Sequence, residues 1–155
     1  MEIPAEIVGF LATATGEVFE TMVFGAIEPA VSTSGAWVGP HVVASVALTG
    51  HRRGLVTFYS SIATAQRLAG AMLDMPAESV NGELPDAIGE VANMIAGTFR
   101  NKLAAVEPSS EIAPPTVTVG SDFSTHCVSH ARRALQHFTL DGGETIGVEL
   151  TLTSV

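Results

Sequence analysis

The sequence predicts an α+β domain in which long helices pack on one side of a mainly antiparallel sheet. Two segments, Ala5–Ala26 and Pro85–Ala105, repeat apolar residues at helical spacing. Valine-rich or alternating runs lie between and after them, bounded by turn residues, which is typical of strands. With 155 residues, of which 46% are hydrophobic and 15% charged, the chain is expected to form one domain with a substantial core.

A hairpin and a second helix are predicted to follow the first long helix. Val42–Leu48 and Leu55–Tyr59 are strand-like, and the polar, glycine-bounded residues between them indicate that the two strands pair. Ser60 or Ser61 is then placed to cap a helix that extends to Leu73. The first half of the chain is therefore expected to supply two helices and two paired strands.

The second half is predicted to contain the second long helix and three strands. The predicted strands are Thr116–Val119, Ala131–Leu140 and Glu144–Thr153. Asp141–Gly143 separates the last two strands, and an Asp-Gly-Gly sequence is a strong signal for a tight hairpin turn. No linker or low-complexity segment interrupts the chain, so residues 1–155 are expected to be a single domain.

The two long helices share a short internal repeat. Gly16–Val18 recurs as Gly89–Val91, and at this offset the apolar residues of both segments fall on the same helix face. The match predicts a duplicated unit, with halves at about 5–80 and 81–155. Coincidence between two amphipathic helices is the alternative, because periodic apolar residues produce part of the match by themselves.

Composition excludes several classes of function. The formal net charge is -9 and Lys and Arg number seven, which argues against binding to nucleic acid or to an anionic membrane. No apolar run approaches the length of a membrane span, and the N-terminus is acidic where a secretory signal would be basic. A single cysteine, Cys127, cannot form an internal disulfide, so a reducing, cytoplasmic setting is expected.

Four polar or small residues line one face of the second long helix. At about 100° per residue, Asp86, Glu90, Asn93 and Gly97 lie within about 60° of one another, and we call these four residues the motif row. Apolar residues occupy the opposite side of the helix. A carboxylate and a carboxamide one turn apart can position a water molecule. The same row is also compatible with an ordinary solvated helix face.

The first long helix lacks most of these groups. At the positions that match Asp86, Asn93 and Gly97 it has a threonine, Glu20 and Phe24. If the motif row carries chemistry, the first helix is therefore a disabled copy.

A second set of residues suggests a metal site. His126, Cys127 and His130 are residue types that bind zinc, but the set has no dependable fourth ligand. A loop without a metal is the preferred interpretation, and we predict no metal bound by this chain.

The motif row resembles a pattern found in a known family. Asp-x3-Glu-x2-Asn within Asp86–Gly97, inside a duplicated helix, resembles the CheC/CheX/FliY phosphatases of bacterial chemotaxis, and most closely the CheX type. Arg53–Phe58 and Ala65–Leu73 are similar to CheX in placement and character. Only one helix carries the Glu/Asn pair, as in CheX. Pro114 and Pro115 lie one or two residues before the place of a family proline.

The resemblance implies a CheC-like fold and a phosphatase activity. The expected substrate is the aspartyl phosphate of a CheY-type response regulator, in chemotaxis or related two-component signalling. Carried to this chain, Asn93 orients the attacking water and Glu90 docks on a lysine of the regulator. Asp86 caps or orients the helix N-terminus, and Gly97 contributes by its lack of bulk. The chain itself binds no cofactor, and the regulator supplies Mg²⁺.

The resemblance also implies a homodimer whose sheets join across subunits. An apolar edge strand such as Glu144–Thr153 would be an aggregation hazard if left bare, which is compatible with such pairing.

Two other functions are compatible with the sequence. The first is a non-catalytic adaptor that binds a response regulator or a flagellar switch component through the same face. The second is a small-molecule sensor with a ligand between the helices and the sheet.

Overall fold

Helices cover one face of an antiparallel sheet in the computed structural model, which describes residues 2–22, 25–30, 39, 41–125 and 131–153. The helices in these residues are α1 (Ala5–Thr21), α2 (Ile62–Leu73) and α3 (Leu84–Leu103), with a 3-10 turn at Ala77–Ser79. The strands are β1 (Glu28–Ala30), β2 (His41–Gly50), β3 (Arg53–Ser61), β4 (Ser110–Ile112), β5 (Thr116–Gly120), β6 (Arg132–Thr139) and β7 (Thr145–Thr153). The predicted α+β class is confirmed.

The order of the strands interleaves the two halves of the chain. Among the described residues the order is β1-β6-β7-β3-β2-β4, and β5 pairs with β2 on the same side as β4. The predicted hairpins are confirmed as the pairs β2–β3 and β6–β7. An early strand of each half lies beside the hairpin of the other half, since β1 pairs with β6 and β4 and β5 pair with β2. The duplication itself stays a prediction.

Local signals account for several element boundaries. The Ser61 hydroxyl accepts a hydrogen bond of 3.1 Å from the Thr64 amide, so the predicted cap of α2 is confirmed. In the β6–β7 turn, Gly142 and Gly143 have φ values of 98° and 87°, which favour glycine.

The first long helix is shorter than predicted. α1 ends at Thr21, and Ala26, the predicted end, is exposed. The chain after α1 leads into β1, a three-residue strand that contains Pro29. So short a strand carries no alternating pattern, and the sequence did not predict it.

The prediction that Glu144–Thr153 forms an edge strand is wrong. β7 lies between β6 and β3, and its second face is buried as well as the face that contacts the helices. Glu149 and Thr151, which alternate with the apolar residues of β7, are both only 4% exposed. Arg133 and Tyr59 donate hydrogen bonds of 2.6 and 3.2 Å to the Glu149 carboxylate. Burial raises the pKa of the Tyr59 phenol, which keeps the hydroxyl protonated as a donor.

The core between helices and sheet fixes which face of α3 is exposed. The buried side of α3 includes Ile88, Val91 and Ile95, each 0% exposed. They face a sheet whose helix side is lined by residues such as Phe58 and Leu150. Full burial of one such side chain contributes about 1.5–3 kcal/mol, so rotating α3 about its axis would be costly. In the described residues, no helix combines the length and hydropathy needed to span a membrane.

Candidate functional site on helix α3

The motif row lies on the outward face of α3. Asp86 and Glu90 are exposed, and Asn93 and Gly97 are half-buried. Residues three apart on a helix lie on one face, so Glu90 and Asn93 are neighbours separated by about 4.5 Å along the axis. The helix therefore presents a carboxylate and a carboxamide side by side, with the amide closer to the protein body.

Neither the Glu90 nor the Asn93 side chain has a partner in the part of the chain that the structure describes. The Glu90 carboxylate and the Asn93 amide form no hydrogen bond or ion pair with any described residue. A carboxamide both donates and accepts hydrogen bonds, and these capacities of Asn93 are available to a water molecule or a partner. The free polar groups are therefore suited to contacts outside this chain.

The start of α3 does not depend on a side-chain cap. Glu83 occupies the N-cap position and makes no capping hydrogen bond. Backbone amides of Glu83 and Asn81 donate to its carboxylate, which lowers the pKa of Glu83. Asp86 lies in the first turn, where a negative charge is favourable near the positive end of the helix dipole. Asp86 is therefore not the N-cap of α3, and the alternative, that it orients the helix N-terminus, stays a prediction.

A kinked edge of the sheet runs beside the motif row. β2 pairs with both β4 and β5, but the register slips by one residue between them, so Pro114 and Pro115 together stand opposite Val46. This is a β-bulge, and proline fits it because it has no backbone N–H to donate to the ladder. We call residues 110–120 the edge segment.

Gly89 lets the edge segment pack directly on α3. A Cβ atom at Gly89 would lie 3.3 Å from Pro115 Cγ and 3.3 Å from Val117 Cγ2. Sequence reasoning did not assign a role to this glycine. One signal was available, because a glycine inside a helix costs about 1 kcal/mol relative to alanine and so suggests a packing reason.

The surroundings of Gly97 are less tight. A Cβ atom there would lie 3.8 Å from Ile112 Cδ1, an ordinary van der Waals distance. The neighbour is thus the chain's own edge segment, and the contribution of Gly97 to the approach of a partner stays a prediction.

The suggested metal ligands fall outside the description. His126, Cys127 and His130 all lie in residues 126–130, which the structure does not describe. Among the residues that it does describe, no three His, Cys, Asp or Glu side chains cluster closely enough to hold a metal ion.

Comparisons with known proteins agree on one family. The family model for chemotaxis phosphatase CheX matches residues 42–139, which include the whole motif row. The chain is similar to the CheY-P phosphatase CheX of Thermotoga maritima, with 36% identity over 114 residues. That alignment covers 69% of this chain and 73% of the relative.

Solved structures extend the similarity to nearly the whole chain. Chemotaxis protein CheX from Desulfovibrio desulfuricans has a TM-score of 0.78 and 26% identity, with 96% of this chain and 99% of that chain covered. The CheX–CheY–BeF3–Mg²⁺ complex from Borrelia burgdorferi gives a TM-score of 0.81 at 22% identity, with 95% and 97% covered. The fold implied by the resemblance is thereby confirmed.

Proposed function

Because the chain belongs to the CheX family of chemotaxis phosphatases, we propose that it hydrolyses the aspartyl phosphate of a CheY-type response regulator. The observation that carries the proposal is the motif row on α3, with Glu90 and Asn93 facing outward and unpaired among the described residues. The Thermotoga relative is named a CheY-P phosphatase, which supports the same class of substrate. The Borrelia protein of the same fold was solved in complex with CheY.

The reaction needs a positioned water more than a new reactive group. The water oxygen attacks phosphorus, and the bond from phosphorus to the aspartyl oxygen breaks. Inorganic phosphate, which keeps the protons of the water, departs, and the aspartate of the regulator becomes a free carboxylate again. Phosphoryl transfer depends chiefly on positioning and charge stabilisation. Asn93 would supply the positioning, since its amide oxygen accepts from the water while its amide nitrogen remains a donor.

Glu90 is proposed to dock the regulator. Its carboxylate is exposed one turn before Asn93 and has no ion pair with a described residue. A lysine of the regulator that pairs with Glu90 would bring the phosphorylated site over Asn93. Asp86, on the same face, would add negative charge to this surface, and Gly97 would leave room for the partner.

The metal of the reaction is proposed to belong to the regulator. Mg²⁺ on the partner would neutralise the charge that develops on the phosphoryl oxygens, and this chain would bind no cofactor. We also place the protein in the cytoplasm, in chemotaxis or related two-component signalling, and the single Cys127 is compatible with a reducing compartment.

A homodimer is part of the proposal, although β7 cannot form it. Within the described residues the outer strands are β1 at one edge of the sheet and β4 and β5 at the other, and each is paired on one side. Strand edges are templates for pairing with another chain. Light scattering on the purified protein tests this point: a mass of twice 16.0 kDa is expected, and a monomer at all concentrations would contradict it.

The activity is tested by phosphate release from a Mg²⁺-bound, phosphorylated CheY-type regulator of the same organism. Release is measured with and without the protein, and binding of the regulator is measured in parallel. We expect binding together with faster release. Binding without acceleration would contradict hydrolysis and favour the adaptor function. Neither binding nor acceleration with any regulator of that organism would overturn the proposal.

A further inference from the structure

We infer that Gly89 is a positioning residue, which sets the place of Glu90 and Asn93 by allowing the edge segment to pack against α3 without an intervening side chain. The inference rests on the proposed function, because it concerns how the same surface is held for catalysis. Gly89 itself is buried and faces its own chain.

The contact between Gly89 of α3 and the edge segment has little room for a side chain. A methyl group at Gly89 would stand 3.3 Å from both the Pro115 ring and the Val117 side chain, which is closer than carbon atoms prefer by a few tenths of an ångström. Gly89 precedes Asn93 by one helical turn and precedes Glu90 by one residue. A displacement at Gly89 would therefore reach both functional side chains.

Hydrogen bonds to β2 hold the edge segment in place beside α3. β4 and β5 are hydrogen-bonded to β2 on both sides of the bulge, and the Ala113 amide donates to the Ala47 carbonyl at 3.0 Å. The Pro115 ring has little internal freedom. Val117 is half-buried and packs against the core. An added methyl group would therefore push α3 and the edge segment apart by a few tenths of an ångström, and the part of that displacement taken up by α3 would move Glu90 and Asn93.

The first helix provides the matched control. Gly16 stands at the corresponding position of the repeat, inside α1, and a Cβ atom there would have no atom within 4 Å among the described residues outside its own stretch of helix backbone. Both substitutions to alanine raise helix propensity equally. Only Gly89→Ala adds a methyl group to a filled contact.

A misplacement of about 1 Å can cost a factor of about 10² in rate, so a shift of a few tenths of an ångström is expected to cost about three- to tenfold. We expect Gly89→Ala to lower kcat by that factor. KM should change less than about twofold, because the long, exposed Glu90 side chain can still reach its partner after a shift of a few tenths of an ångström, whereas the position of the water on Asn93 cannot adjust in the same way. A folding defect alone would lower the fraction of active protein, and shortening Val117 would then not restore the rate.

The experiment measures phosphate release from the phosphorylated regulator with wild type, Gly89→Ala, Gly16→Ala and the double variant Gly89→Ala/Val117→Ala. The double variant removes one of the two atoms that the methyl group meets, and it should recover at least half of the lost rate. Gly16→Ala should keep the wild-type kcat. Thermal unfolding of each variant shows whether it is folded. If Gly89→Ala does not fold, Val117→Ile is used to tighten the same contact from the strand, with the same expected loss of kcat.

The outcomes separate the inference from the proposed function. Wild-type protein that fails to accelerate release would overturn the proposed function and the inference together. Active wild type with an unchanged kcat in Gly89→Ala would overturn the inference alone. Loss of kcat without any recovery in the double variant would also overturn it, because the loss would not come through this contact.

Discussion

Helices α1 and α3 carry a glutamate at the same position of the repeat, and the two carboxylates have different surroundings. The Glu17 carboxylate on α1 forms an ion pair with the ammonium group of Lys102 on α3, with an N–O distance of 2.7 Å. Glu90 on α3 has no ion pair with any described residue. The sequence pattern places both glutamates outward, but only the second carboxylate is available to a partner without first breaking a contact.

The two helices also differ at one matched position near their C-terminal ends, although residues inside α1 such as Leu11 and Phe19 are as fully buried as the core residues of α3. Ile95 on α3 is 0% exposed, while Met22, the matching residue after α1, is only partly buried. The glycines that precede the two glutamates also differ in their packing. Gly89 is packed against the edge segment, whereas Gly16 faces open space. The face of α3 that we propose to be functional thus combines polar groups that have no partner among the described residues with close packing against the edge segment.

The largest expected effect concerns the packing at the matched positions of Ile95 and Met22. Ile95→Ala should lower the free energy of unfolding by about 2–5 kcal/mol, because it removes a fully buried side chain. Met22→Ala should cost on the order of 1 kcal/mol, since its side chain is partly exposed. Urea unfolding of both variants measures the difference. Equal losses would show that the two matched positions are packed alike.

A smaller effect is expected from the two glutamates. Glu90→Ala should lower kcat/KM for the phosphorylated regulator by about tenfold, or about 1.4 kcal/mol, mainly through a higher KM. Salt should weaken docking of the wild type more than docking of this variant, because the lost contact is an ion pair. Glu17→Ala is the matched control and should stay within about twofold of wild type. A larger loss in Glu17→Ala than in Glu90→Ala would reverse the assignment of the two helices.

The smallest effect is expected from the ion pair between the helices. Lys102→Ala frees Glu17, whose side chain is 51% exposed in the pair. An exposed pair of this kind contributes about 0–1 kcal/mol, so the stability should change little. Phosphate release should not rise, because α1 has Glu20 where α3 has the amide. Faster release in Lys102→Ala would mean that α1 carries a second, masked site.

Much of the fold could be predicted from local signals. The apolar, strand-like runs Val42–Leu48 and Leu55–Tyr59, the cap at Ser61 and the Asp141–Gly143 turn are all signals that act over a few residues, and each element is present as predicted. The outward face of α3 followed from helical spacing alone, since its buried side has no polar residue to confuse the period.

The remaining features depend on contacts between distant residues. The edge-strand prediction for Glu144–Thr153 failed because the place of β7 between β3 and β6 is set by pairing with distant strands. The burial of Glu149 likewise depends on Arg133 and Tyr59 from those strands. The slip at Pro114–Pro115 depends on pairing with β2. Gly89 and Gly16 have the same following residues, Glu and Val, and only the position of the edge segment distinguishes them.

Asn93 on the α3 face is proposed to carry the chemistry. This role is tested most directly by single-turnover phosphate release from the Mg²⁺-bound, phosphorylated regulator, with wild type, Asn93→Ala and Glu20→Ala measured side by side. We predict a loss of about 10²-fold for Asn93→Ala, the scale seen when one positioned group is removed, and less than about twofold for Glu20→Ala. Release at the wild-type rate with Asn93→Ala would show that Asn93 does not position the attacking water.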